Sequence, residues 1–192
     1  FDVVEKDCGQ YDTVTEVMWV TGAALFIRLA DYREVGGLDD HFFAHMEEID
    51  LCWRLRSRGK KLVCIPQSVV YHVGGATLKK ENPRKTFLNF RNNLLMLYKN
   101  LPDKELEHVL FIRGILDRVA ALVFYLKKDR ANARAVMQAR REFEDIRYSF
   151  AASRIENMMK STDEIIPERT HFSIVMKYYL LGKKHFSQLK LF

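Results

Sequence analysis

The chain has 192 residues, with 31 Lys plus Arg against 25 Asp plus Glu, a net charge of +6 and a pI near 9.2. Hydrophobic residues at 48% and charged residues at 29% form a globular mixture, which excludes a disordered tail, a collagen-like repeat or a low-complexity segment. The cysteines Cys8, Cys52 and Cys64 are odd in number and share no CxxC spacing, so a disulfide framework is not expected and a reducing, cytoplasmic compartment is. The chain opens on Phe1 with Asp2, Glu5 and Asp7 close behind, which is no secretory leader, and it reads as a piece of something longer. The best candidate for a membrane span, Val109 to Leu126, carries Arg113, Asp117 and Arg118 near its middle, where charges are costly in lipid.

In chain order, Met18 to Leu29 is apolar and branched with Gly22 inside it, which predicts a buried strand with a close backbone approach at the glycine. A short helix follows from Asp31 to Val35, and Gly36-Gly37-Leu38-Asp39 is a turn by composition. From Asp40 to Gly59 the apolar residues recur at helical spacing, with Gly59 as the stop. Lys61–Ile65 and Ser68–Val73 are predicted strands, the second closing at Gly74-Gly75, and Asn82 to Lys99 is a helix. The fold class is therefore α/β, with too few strands for a complete sheet. Pro102 disfavours helix at Leu101, which sets a boundary between a region 1–100 and a helical region 101–192. The charge divides unevenly across the chain: residues 1–99 hold 14 basic against 13 acidic residues, and residues 100–192 hold 17 against 12.

Three carboxylates fall within four residues at Glu47-Glu48-Ile49-Asp50. Like charges so crowded raise one another's pKa values, a property that a general base or a metal site exploits; the alternative is a solvated helix face paired with Arg54, Arg56 and Arg58. His41, His45 and Glu48 are spaced to share one helical face, but Phe42 stands where a zinc protease needs Glu, so zinc hydrolysis is disfavoured. His72 ends an apolar strand, and imidazole with carboxylates is a common ligand set for metals such as manganese.

Thr21-Gly22-Ala23, Arg33 to Asp39, Phe42-Phe43, Glu47 to Leu51, Arg54-Leu55, Gly59, Pro66, Val70-Tyr71-His72, Phe90 to Asn93 and Lys99-Asn100 stand in one order. This series resembles the C-terminal, acceptor-side half of family 2 inverting glycosyltransferases of the GT-A fold, in particular their rhamnosyltransferase-like branch. The resemblance implies a partial GT-A sheet followed by a helical extension. It also implies transfer of a sugar from a nucleotide-diphosphate sugar to a saccharide or lipid-linked acceptor in bacterial surface polysaccharide assembly. On this sequence the family's Glu-Asp pair falls on Glu47-Glu48, making Glu48 the implied base with one methylene more than the family's Asp. Asp50 is implied as supportive, His72 as a ligand of the divalent metal (Mn or Mg) that holds the diphosphate, and Gly22, Ala23 and Asp39 as the acceptor side; Trp19 and Trp53 could offer stacking faces to a sugar there, although a buried core role is the expectation for each. The family's nucleotide-binding half, with its Asp-x-Asp motif, has no counterpart here, so this chain alone is expected not to transfer sugar.

Leu106 to Phe124 is predicted as a helix with a wide buried face, Ala131 to Lys160 as a longer one, and Phe172 to Leu181 as a third. The basic, apolar end at residues 172–192 is the expected place for any peripheral contact with the cytoplasmic face of the inner membrane. Nucleic-acid binding is not expected, because acids interrupt the basic residues. The competing reading of the whole chain is a non-catalytic module of the same fold that docks to a partner or membrane.

Overall fold

In the computed structural model the residues described are 5–73, 82–162, 166–170 and 172–189. The regular elements are β1 (Thr15–Glu16), α1 (Leu29–Glu34), α2 (Glu47–Ser57), β2 (Val63–Cys64), α3 (Pro83–Asn100), α4 (Asp103–Leu126), α5 (Arg130–Ile146), α6 (Ala151–Met159) and α7 (Ile174–Tyr179). Short 3₁₀ turns at Gly22–Ala24, Asp40–Phe42, Arg147–Phe150 and Phe186–Leu189 complete the described elements.

The expected sheet shrinks to one antiparallel pair, Thr15 opposite Cys64 and Glu16 opposite Val63, extended by the bond from Val17 N to Leu62 O at 2.9 Å. Met18–Leu29 and Ser68–Val73 are not strands, and the first contains the 3₁₀ turn at Gly22–Ala24. The physical reason is a missing partner: among the described residues neither segment meets a second backbone that would complete a ladder. Val17, Val20, Leu25 and Ile27 nevertheless pack on a small core of Val35, Leu51, Cys52, Leu55 and Leu62, which accounts for their apolar pattern. The expected turn at Gly74-Gly75 lies outside the described residues.

Helix α2 lies between two cores. Its Leu51, Cys52 and Leu55 face the small cluster, while Trp53 joins Phe42, Leu94, Leu95, Tyr98, Leu106, Leu110, Phe143 and Phe150 in the larger one. Every residue from Asp50 to Arg56 is consequently buried. The single helix expected over Asp40–Gly59 is divided by the loop 43–46, because Phe43, His45 and Met46 take positive φ values of 61, 70 and 75°. His41 and His45 therefore do not share a helical face with Glu48.

Helix α3 starts as its sequence predicts, with Pro83 in the first turn and the Asn82 side chain accepting from Arg84 N at 2.9 Å. It packs along α5 and also touches α2 and α6. The stretch expected to be one helix over Ala131–Lys160 is broken into α5, a 3₁₀ turn and α6, with Phe150 of the turn buried in the larger core and edge-on to His41, ring centroids 5.2 Å apart. Helix α4 runs 24 residues, but its buried stripe is narrow: Leu106, Leu110, Gly114, Asp117 and Ala121. Much of the apolar surface expected to be covered is exposed.

One buried polar hub joins these parts. Asp50, fully buried, accepts from Arg54 Nε at 2.9 Å, Lys99 Nζ at 3.0 Å and Asn100 Nδ2 at 2.7 Å. Arg54 also donates to the carbonyls of Val35 and, at 2.7 Å, Gly37. Gly37 needs its φ of +69° and has no room for a Cβ, which would stand 3.0 Å from the Tyr32 ring. Asn157 of α6 closes the hub with bonds to Lys99 O and Asn100 Oδ1, both 3.3 Å. Replacing Asp50 by Asn leaves Arg54 buried without its counter-charge, while Lys99 keeps Asp39, so D50N is expected to lose about 3–5 kcal/mol. Asp40→Asn, at an exposed carboxylate, should change stability by less than about 0.5 kcal/mol; urea melts of the two variants check this, and equal midpoints would contradict it.

Candidate active site

The acidic motif sits at the start of α2, and the chain enters it through an unusual route. Three non-glycine residues in the left-handed region within four positions cost on the order of 1–3 kcal/mol each and persist only where the surroundings impose them. The main constraint is Asn92 of α3, fully buried, whose carboxamide nitrogen lies 2.8 Å from each of the carbonyls of Phe42, Ala44 and His45. Arg91 adds a bond to His41 O at 2.9 Å and is itself paired with Glu142 of α5 at 2.7 Å.

Within this loop and turn, Nε2 of His45, Oε2 of Glu47 and Oε2 of Glu48 are buried without a hydrogen-bond partner. Unpaired buried polar atoms are uncommon and costly, and three of them in four residues mark a place built for something other than stability. Burial, and then the charge of Glu47, raises the pKa of Glu48 above the ordinary carboxylate value, against the pull of its own backbone N–H. Burial and the charge of Lys85 lower that of His45, opposed by Glu47.

Opposite Glu48 runs the 3₁₀ turn Gly22–Ala24, capped by Thr21 Oγ1 accepting from Ala23 N at 3.4 Å. A Cβ at Gly22 would lie 3.7 Å from Glu48 Cβ and 3.9 Å from its Cγ, so the bare glycine lines the flank of the longer glutamate. Gly22 and Ala23 are exposed, and Trp19, three residues earlier, is 48% exposed whereas Trp53 is 7% exposed. The structure thus brings Glu47, Glu48 and Gly22 together.

Asp50 stands on the same helix but is consumed by the hub. Asp39 is also engaged: its Oδ2 takes Lys99 Nζ at 2.7 Å and its Oδ1 takes His41 N at 3.1 Å, with His41 Nδ1 at 2.8 Å. Burial opposes ionisation of Asp39, but the Lys99 and His41 bonds outweigh it and hold its pKa below the ordinary value. Of the arginines expected beside the acidic motif only Arg54 pairs there; Arg56 pairs with Glu168 and Arg58 donates to Glu34 O.

Among the described residues one group could gather three ligand atoms around a metal, Asp39 with Asp40 and His41. Its chemistry fits a cation poorly, because Lys99 already neutralises Asp39. His72 is exposed, outside regular structure, and belongs to no such group among the described residues. These residues do not complete a metal site. Asn92, Lys99 and Asn100 carry the geometry yet had no role assigned by sequence; the signal was there in a carboxamide one helical turn from both Leu88 and Leu95–Met96 on a buried stripe.

Comparison with known proteins follows the same direction. No family model matches the chain, and no solved structure matches it. Curated proteins do: the chain is 31% identical to a pre-mycofactocin glycosyltransferase of Mycobacterium tuberculosis over 141 residues, 68% of this chain and 29% of that protein. It is 38% identical over 56 residues to an N-acetylglucosaminyl-diphospho-decaprenol L-rhamnosyltransferase of the same organism, 29% of this chain and 18% of that protein. It is also 33% identical over 69 residues to the rhamnosyltransferase WbbL of Escherichia coli K12, 36% of this chain and 25% of that protein. The relatives are glycosyltransferases, and the chain spans less than a third of the length of each.

Two outcomes are expected at this site. Asn92→Ala should lower stability by about 1–3 kcal/mol through loss of the bonds to the loop, read from urea melts. Glu48, with a folded pKa above its unfolded one, binds more protons when folded, so its contribution to stability falls as pH rises through the interval between the two values and stays low above it. Glu48→Gln removes that loss; a variant whose stability fell as steeply as wild type across this interval would contradict the assignment.

Proposed function

We propose that the chain is the acceptor-side portion of an inverting, family 2 glycosyltransferase of the GT-A type, with Glu48 as the general base. The observation that carries the reading is the buried, unpaired Glu48 carboxylate oxygen with its raised pKa, placed beside the exposed turn at Gly22–Ala24. A general base works best with a proton affinity raised toward its operating pH.

In the proposed reaction the acceptor hydroxyl gives its proton to the Glu48 carboxylate while its oxygen bonds to the anomeric carbon of the donor sugar. The bond from that carbon to the nucleotide diphosphate breaks on the opposite face, and the diphosphate leaves with the electron pair. Glu47 keeps the proton affinity of Glu48 high through its charge. Asp50 holds α2 from behind, and Asp39 holds the adjoining turn. Trp19, Gly22 and Ala23 border the acceptor, with Gly22 flanking the Glu48 side chain.

The donor is a nucleotide-diphosphate sugar and the acceptor a saccharide or a lipid-linked one, the latter supported by the diphospho-decaprenol in one relative's name. We assign the donor site to a nucleotide-binding half that precedes this portion in the whole protein. Phe26, Val69, Tyr71 and Val73, apolar and exposed here, would pack against it. His72, exposed between Tyr71 and Val73, would offer one ligand to a divalent metal, and no step above depends on it.

In the whole protein, Glu48→Gln should lower kcat for sugar transfer by about 100-fold or more, with KM for the acceptor little changed. The wild-type rate should climb with pH through a value above the ordinary glutamate range and then level off. A fully active Glu48→Gln enzyme would refute the base, and nucleotide-sugar turnover by the 192-residue chain alone would refute the absence of a donor site.

A further inference from the structure

Helix α4 buries one stripe and leaves its opposite face bare. Phe111, Ile115, Val119, Leu122, Val123 and Leu126 are between 44 and 70% exposed. Steps of four, four, three and four along Phe111, Ile115, Val119, Leu122 and Leu126 put them on one line, about 22 Å long at 1.5 Å per residue. Of the charges that make this sequence unfit to span a bilayer, Arg113 and Asp117 lie off that line and pair with each other, while Arg118 lies on it, exposed, and turns its guanidinium back to the helix backbone. Arg113 and Asp117 pair at 2.8 Å, Asp117 also receives Arg140 of α5 at 2.9 Å, and Arg118 bonds back to Gly114 O at 2.8 Å.

The C-terminal end of this face is edged by five cations against one acid. Lys127 and Lys128 follow α4, and Arg130, Arg134 and Arg141 of α5 border the groove beside Leu122 and Tyr125. All five are exposed. The nearest acid in the chain, Asp129, is used to cap α5 through Asn132 N at 3.1 Å. At the other end Asp103 and Glu105 are engaged by Arg154 and Arg169, so a second copy laid antiparallel on this face would meet few free carboxylates.

We propose that the outer face of α4, with the basic edge of α5, docks on an anionic lipid surface, the apolar line entering the interface and the cations meeting headgroup phosphates. An apolar stripe this long on a soluble surface marks an interaction site, and its pairing with unneutralised cations selects an anionic bilayer over a neutral one. No described helix is long and apolar enough to cross a membrane, so the contact is peripheral. The inference stands apart from the sugar-transfer reading. It places lipid contact on α4 and α5, whereas the expectation from sequence was residues 172–192.

The test is flotation of the 192-residue chain with vesicles of phosphatidylcholine and phosphatidylglycerol in equal parts, against vesicles of phosphatidylcholine alone, at low and high salt. Wild type should float with the anionic vesicles at low salt only. Ile115→Glu with Leu122→Glu should abolish flotation while leaving the melting curve intact, and Arg130→Ala with Arg134→Ala should weaken it roughly fivefold per charge removed. Leu180→Glu with Leu181→Glu should leave it unchanged. Failure of wild type to float, loss of flotation in the Leu180/Leu181 variant alone, or a lipid-free dimer dissociated by the Ile115/Leu122 changes would each overturn the proposal.

Discussion

The carboxylate of Asp50 is the point on which the other arrangements depend. It is fully buried, and a charge so placed is tolerable only with cations and donors around it. Meeting that demand draws Arg54 from its own helix and Lys99 and Asn100 from the end of α3. Each of those donors has a second obligation. Arg54 reaches the Val35 and Gly37 carbonyls, Lys99 reaches Asp39, and Asn157 ties α6 to the same end of α3. One buried charge thereby fixes the glycine turn, the 3₁₀ turn at Asp40–Phe42, two helices and the approach of a third.

The acidic motif is presented by this frame and not by its own local preference. Left-handed φ at Phe43, His45 and Met46 is unfavourable for such side chains, and the Asn92 carboxamide, with its contacts to the carbonyls of Phe42, Ala44 and His45, supplies the constraint. What the strain achieves is separation of three neighbouring acids by fate: Asp50 turns inward and is saturated, while Glu47 and Glu48 keep an unpaired oxygen each. Chemistry needs the second condition, and stability needs the first.

The sequence carried the helices well wherever local signals agreed with packing. Asn82-Pro83 opens α3, Pro102 separates α3 from α4, and both helices fall close to their predicted limits. The apolar segments at Met18–Leu29 and Ser68–Val73 misled because branched residues report burial or expected burial, while a strand needs a second strand to bond. Glu48 and Gly22 were legible as a pair of motif positions but not as neighbours, since their approach depends on α2 lying under the 15–27 segment. The roles of Asn92 and Lys99 were hidden for a different reason. A polar residue on a helix shows its burial only when the partners arriving from 50 to 60 positions away are known. On α4 periodicity gave a helix and not the extent of its cover, because two apolar faces on one helix look like one wide face.

The central claim is that this frame holds Glu48 as a partly desolvated carboxylate with unusually high proton affinity. Its titration by carbon NMR of the side-chain carboxyl, assigned through Glu48→Gln in the 192-residue chain, measures that directly. The account predicts a midpoint clearly above the ordinary glutamate value of about 4.3, moving back toward it when Asn92→Ala releases the loop. A Glu48 that titrates at the ordinary value in the native chain would contradict it.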